Sequence, residues 1–227
     1  GDDTIVGDFS AEGTYGEFAD RLDLWAGGDT IDAGAGDDTV DAGAGDDVIA
    51  GGVGSDAISG GSGFDTADYS GEPDAITADL VSGEVVSASG TDSLDSIEKI
   101  VGTAGDDTFV LGAGAEAGSS VEVDGNGGSN RLDLSAFERA SVALDTAGGT
   151  VAASVAGGEA SVSYENIQRI TLADADFDPT AAAVSAVDGS GSTAEDGSLR
   201  VEALTPAQVA SGRAVDLSVA QEPEHGT

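Results

Sequence analysis

The chain has 227 residues, 44 of them acidic and 7 basic, for a formal net charge of −37, and it contains no cysteine and no methionine. That charge excludes nucleic acid and anionic membrane surfaces as partners. The missing cysteines exclude disulfides and thiolate zinc sites. Apolar residues make up 39% but aromatic residues only 4%, which suits a thin, regular core of Ala, Val, Ile and Leu.

Residues 1–23 open on Gly1-Asp2-Asp3-Thr4-Ile5-Val6, which reads as the tail of a repeat, so this stretch is a truncated, degenerate copy at an N-terminal edge. An opening on Gly1 also suggests a piece of a longer protein. No run approaches the ~18 apolar residues of a membrane helix, so no membrane insertion is expected.

Residues 24–68 carry the strongest signal. From Ala33 to Asp68 the sequence repeats every nine residues as x-G-x-G-x-D-x-U-x, with U apolar. The aspartates are Asp38, Asp47, Asp56 and Asp65. Their glycines are Gly34 and Gly36, Gly43 and Gly45, Gly52 and Gly54, and Gly61 and Gly63; U is Val40, Ile49, Ile58 and Ala67. Leu24–Asp32 continues the register upstream with Gly27, Asp29 and Ile31, but has Trp25 in place of the first glycine.

Residues 69–178 carry a longer duplication. Asp68–Ile100 and Asp133–Ile170 both run from Asp-x-Ser through alternating small and apolar residues to I-[EQ]-[KR]-I. That alternation predicts half-buried strands. Gly105-Asp106-Asp107-Thr108-Phe109-Val110 is an isolated half-copy of the nonapeptide, and Phe109, like Trp25, is expected to close a roll end by packing. Lys99 and Arg169, at equivalent points of the duplication, are expected to neutralise local acids. Residues 179–227 change character, with a linker at Asp188–Gly197 and a helix start at Thr205-Pro206-Ala207-Gln208.

The period of nine has a geometric reading. A six-residue glycine turn and a three-residue strand reverse the chain once, so two copies complete one coil and copy i lies beneath copy i+2. Stacking at ~4.8 Å then brings together Asp29 with Asp47, Asp38 with Asp56, and Asp47 with Asp65. Like charges so placed repel unless a cation lies between them. The glycines permit positive φ, which lets turn carbonyls face inward. Carboxylates and carbonyls together form an all-oxygen donor set suited to calcium, and transition metals would favour the histidine or cysteine that the repeats lack. The expected ligand set is therefore Asp29, Asp38, Asp47, Asp56 and Asp65 with carbonyls of the repeat glycines, several Ca2+ ions in all. The fifth-position acids Asp37 and Asp46 are expected to be solvated, as are Asp32, Asp41 and Asp68. For Asp3, Asp20 and Asp107 the sequence leaves metal binding open.

These repeats resemble the RTX (hemolysin-type) nonapeptide family, and the resemblance extends over roughly residues 1–178. It implies an all-β fold, a right-handed parallel β-roll, continued by strand-rich segments. It further implies a secreted bacterial protein exported by a type I system and folded by external calcium. No catalytic motif such as H-E-x-x-H or G-x-S-x-G is present, and the sole histidine is His225, so the chain is not expected to be an enzyme.

Three functions fit. The first is a structural calcium-binding segment of an extracellular adhesin, surface-layer or matrix protein, whose further partners would be copies of itself, other surface proteins or polysaccharide. The second is the accessory module of a secreted protease, lipase or polysaccharide epimerase whose catalytic domain lies outside these residues. The third is an acidic, disordered spacer, which the regularity of the repeats disfavours.

Overall fold

The computed structural model describes residues 4–8, 21–23 and 26–180. The described residues fall within one compact unit. The linker at Asp188–Gly197, the helix start at Thr205 and His225 lie outside the described residues, as do Trp25, Asp3 and Asp20.

Strands β1 (Thr4–Asp8), β2 (Arg21–Asp23) and β3 (Thr30–Gly34) lead into four three-residue strands: β4 (Thr39–Asp41), β5 (Val48–Ala50), β6 (Ala57–Ser59) and β7 (Thr66–Asp68). Each of the four begins nine residues after the one before. They alternate between two sheets, and pairing is parallel with a register of eighteen: Thr30 opposite Val48, Thr39 opposite Ala57, Val48 opposite Thr66. Two repeats therefore make one coil, as the glycine-turn geometry predicts. The U residues Ile31, Val40, Ile49 and Ile58 are buried and form one core with Ala33 and Ala42, which stand at the first position of their repeats.

The roll continues through β8 (Thr77–Asp79), β9 (Glu84–Val86), β10 (Thr91–Asp95), β11 (Lys99–Val101), β12 (Thr108–Val110), β13 (Ser120–Asp124) and β14 (Asn130–Leu134). After a short 3-10 turn at Arg139–Ser141 come β15 (Val142–Asp145), β16 (Thr150–Val155), β17 (Gly158–Glu165), β18 (Ile167–Leu172) and β19 (Asp176–Phe177). One sheet runs β1-β3-β5-β7-β11-β13-β17-β16-β15, the other β19-β18-β14-β12-β8-β9-β10-β6-β4-β2. The fold is an all-β parallel roll of two sheets, with antiparallel insertions.

The long duplication has a structural meaning. Its first copy forms the antiparallel meander β8-β9-β10 in one sheet and then crosses to β11 in the other. Its second copy forms the meander β15-β16-β17 in the opposite sheet and crosses to β18. Each sheet is thus widened once by the same device. Asp79 and Asp145 start equivalent turns, their Oδ1 atoms accepting from Val81 and Ser82 N–H and from Ala147 and Gly148 N–H.

Phe109 is fully buried between β8 and β14, opposite Ala78 and Leu132. It packs in the middle of the roll and does not close an end, because β12 is an interior strand. Arg169 pairs with Asp176, in line with the expected neutralising role. Lys99 stands opposite Glu122 across the β11–β13 pair.

Candidate calcium centre

Turn stacking dictates the local backbone. The eight repeat glycines and Gly27 all have positive φ, from 89° at Gly52 to 151° at Gly54. Gly54 shows why no other residue fits there. A Cβ on it would lie 1.7 Å from the carbonyl oxygen of Gly36, one coil away. Backbone bonds between coils run through the same turns, with Val53 N–H donating to Gly34 O and Gly36 N–H to Val53 O. Some turn carbonyls expected to face a cation are therefore already engaged in the stack, though each oxygen retains a second lone pair.

The aspartates form two rails, one on each side of the roll. On the first, Asp29 N–H donates to Asp47 Oδ1 at 2.7 Å and Asp47 N–H to Asp65 Oδ1 at 2.9 Å. On the second, Asp38 N–H donates to Asp56 Oδ1 at 2.8 Å. The structure thus brings together all three pairs expected from the sequence. It adds that the members of each pair are linked directly, backbone to carboxylate.

Both rails extend beyond the nonapeptides. Asp56 N–H donates to Asp92 Oδ1, and Asp65 N–H to Glu98 Oε2, each at 2.9 Å. Tyr69 Oη donates to the other oxygen of Asp92. Sequence reasoning missed Asp92 and Glu98. Asp92 carries a faint signal, since Gly90-x-Asp92-x-Leu94 keeps half of the repeat pattern, and Gly90 stacks on Gly54 as Gly54 does on Gly36. Glu98 carries none.

Each rail aspartate is buried. With Oδ1 spent on the rail, the Oδ2 atoms of Asp47, Asp56 and Asp65 are buried with no hydrogen-bond partner. A buried acceptor left so is costly. Burial pushes the Asp56 carboxyl up to about 7, with the carboxylates of Asp92 and Asp38 adding to the effect. Burial likewise raises Asp47, Asp65 and Asp92. Among the described residues no three acidic or histidine side chains converge as a ready metal cage, so any cation shell here must be completed by backbone carbonyls. Partnerless hard oxygens, tight glycine turns and adjacent carbonyls fit an oxygen-liganded divalent cation such as calcium.

The fifth-position acids have a use the sequence did not suggest. Asp37 and Asp46 are exposed, yet their Oδ1 atoms accept from Ser55 and Phe64 N–H one coil further on. Asp107, in the isolated half-copy, is fully engaged. Its Oδ1 accepts from Ile76 N–H and Thr103 Oγ1, and its Oδ2 from Thr103 N–H. Thr103 occupies the place of the first repeat glycine and supplies the donors that Asp47, Asp56 and Asp65 lack.

No helix among the described residues is long and apolar enough to cross a membrane. Residues 16–40, 32–67 and 89–116 match the RTX calcium-binding nonapeptide repeat, in four copies. No curated protein is matched by the chain. These segments carry RTX calcium-binding nonapeptide repeats, a type of repeat that binds several Ca2+ ions.

Proposed function

We propose that the chain is a calcium-rigidified structural segment of a secreted bacterial surface or matrix protein of the adhesin or surface-layer type, with Asp29, Asp38, Asp47, Asp56 and Asp65 as its metal-binding acids. The observation that carries this reading is the set of partnerless, buried Oδ2 atoms at Asp47, Asp56 and Asp65. Carbonyls of the turns holding Gly27, Gly34, Gly36, Gly43, Gly45, Gly52, Gly54, Gly61 and Gly63 complete the shell. Bound calcium supplies positive charge between stacked carboxylates that otherwise repel. The rails then hold each coil in register through backbone-to-carboxylate bonds.

At a net charge of −37, the chain without cations is driven toward expansion, which suits export before folding and assembly outside the cell. The role is structural and not catalytic. Circular dichroism during a calcium titration, paired with calorimetry for stoichiometry, tests this. A cooperative rise in β signal with several ions bound is expected, and a chain equally folded without calcium would overturn the reading.

A further inference from the structure

The two copies of the long duplication end in turns that share one frame. Asp95-Ser96-Ile97-Glu98-Lys99-Ile100 aligns with Glu165-Asn166-Ile167-Gln168-Arg169-Ile170. Gly60 N–H donates to Asp95 O at 3.0 Å, and Gly125 N–H to Glu165 O at 3.0 Å. Asp65 N–H donates to Glu98 Oε2, and Asn130 N–H to Gln168 Oε1. Ser96 and Asn166 share an unusual backbone conformation, with φ of 55° and 52°. Gly60 thus corresponds to Gly125, Asp65 to Asn130, Ser96 to Asn166 and Glu98 to Gln168.

The frames differ in what fills them. Around Gly125, the Nδ2 of Asn130 and the carbonyl oxygen of Asn166 lie 2.3 and 2.5 Å from the point where a side chain on that glycine would begin. This Nδ2 donates to three backbone carbonyls, those of Gly125, Gly127 and Asn166, at 2.7–2.9 Å. Around Gly60, the carbonyl oxygen of Ser96 and the Oδ2 of Asp65 lie 2.3 and 2.6 Å from the equivalent point. Both of these are acceptors. Asp65 is fully buried and its Oδ2 has no hydrogen-bond partner. Where the second copy sets a donor against a carbonyl, the first sets an oxygen against an oxygen, with the acid Glu98 replacing Gln168.

Resting on the reading of the rail aspartates as calcium-binding, we propose that Asp65, the Ser96 carbonyl and Glu98 form a calcium site outside the nonapeptide spacing, and that Asn130, Asn166 and Gln168 are the same site with a side-chain amide in place of the cation. Two acceptors lining the same space are relieved by a positive centre there, and a hard divalent cation meets oxygen-only donors. An amide NH2 meets the same carbonyls at the cost of no charge. Asp107, satisfied by Thr103, marks the same change on the neighbouring rung. Calcium dependence then ends at Glu98, and the roll beyond it, although part of it matches the RTX repeat up to residue 116, is held by the protein's own donors.

The test is calcium stoichiometry by isothermal calorimetry on the full chain, with three proteins. Glu98→Gln keeps an acceptor for Asp65 N–H but removes the charge, and is expected to lose one bound ion or weaken it at least tenfold. Asn130→Asp with Gln168→Glu rebuilds the acidic frame and is expected to bind one ion more than the parent. An unchanged count and affinity in Glu98→Gln overturns the site. An unchanged count in the folded double variant overturns the amide-for-cation equivalence. If the double variant does not fold, Glu98→Gln decides alone. A parent chain that binds no calcium defeats the underlying reading, whereas several ions in the parent with no change in either variant defeats only this inference. A proton held on Asp65 in place of a cation would leave the calcium counts equal and is thereby distinguished.

Discussion

The backbone N–H of Asp47 donates to Oδ1 of Asp65 at 2.9 Å, across one full coil of the roll. Asp47 in turn accepts from Asp29 N–H. It is therefore an interior member of its rail, joined on both sides. Asp47→Ala removes an acceptor from Asp29 and a buried oxygen from the proposed calcium shell, so it should lower the calcium count more than Asp29→Ala does. Calorimetry on the two variants checks this, and equal losses would contradict the rail.

Stack spacing depends on glycine. In Gly54→Ala the new methyl would sit 1.7 Å from Gly36 O on a backbone with φ of 151°. A destabilisation on the order of 3 kcal/mol or more is expected from strain and overpacking together. At Gly71 a Cβ would meet nothing within 4 Å, so Gly71→Ala should be near neutral. Thermal melts in saturating calcium compare the two, and similar melting temperatures would sink the argument.

Without calcium, stability should fall as pH rises. The Asp56 carboxyl is raised to about 7 in the folded chain, against about 3.9 when unfolded. A folded-state value above the unfolded one means the contribution is fully present below about pH 4 and is lost as pH climbs through about 7. Chain stripped of metal should thus show more β signal at pH 5 than at pH 8, and Asp56→Asn should flatten the difference. Calcium binding runs the other way and weakens on acidification, because it needs the carboxylates ionised. Greater order at pH 8 than at pH 5 in the metal-free chain would refute the assignment.

Thr103 holds Asp107 with both its N–H and its hydroxyl, and its Oγ1 also accepts from Gly105 N–H. Thr103→Val keeps the shape but removes the hydroxyl, which should cost about 1–3 kcal/mol, or about 2–4 °C of melting temperature per kcal/mol. The calcium count by calorimetry is expected to be unchanged in this variant. Loss of a bound ion would tie Asp107 to the metal after all.

The nonapeptide part of the fold was legible because its period is dictated locally. Positive-φ glycines at fixed offsets set each turn, and an apolar residue two places after each aspartate sets the inward face. Pairs such as Asp38 with Asp56 then followed from counting eighteen residues. The closing acids did not follow, because the β8-β9 insertion delays the partner of Asp56 to Asp92, twice the expected separation. Glu98 was hidden differently: a longer side chain reaches the rail from outside the aspartate register. The roles of Thr103 and Asn130 were also illegible, since Thr103 stands where the pattern has a glycine and Asn130 where it has an acid, so neither position reads as part of a repeat. The duplication was visible as sequence similarity, yet its appearance once in each sheet depends on the odd number of sheet crossings between the copies.

Every rail bond points the same way, from the N–H of an earlier coil to a side-chain oxygen of a later one. The two ends of such a stack are therefore not equivalent. Peeling away an N-terminal coil uncovers carboxylate oxygens, which water or a counter-ion solvates readily. Peeling away a C-terminal coil uncovers backbone N–H donors, which water must then satisfy. One face of the stack thus presents acceptors and the other donors.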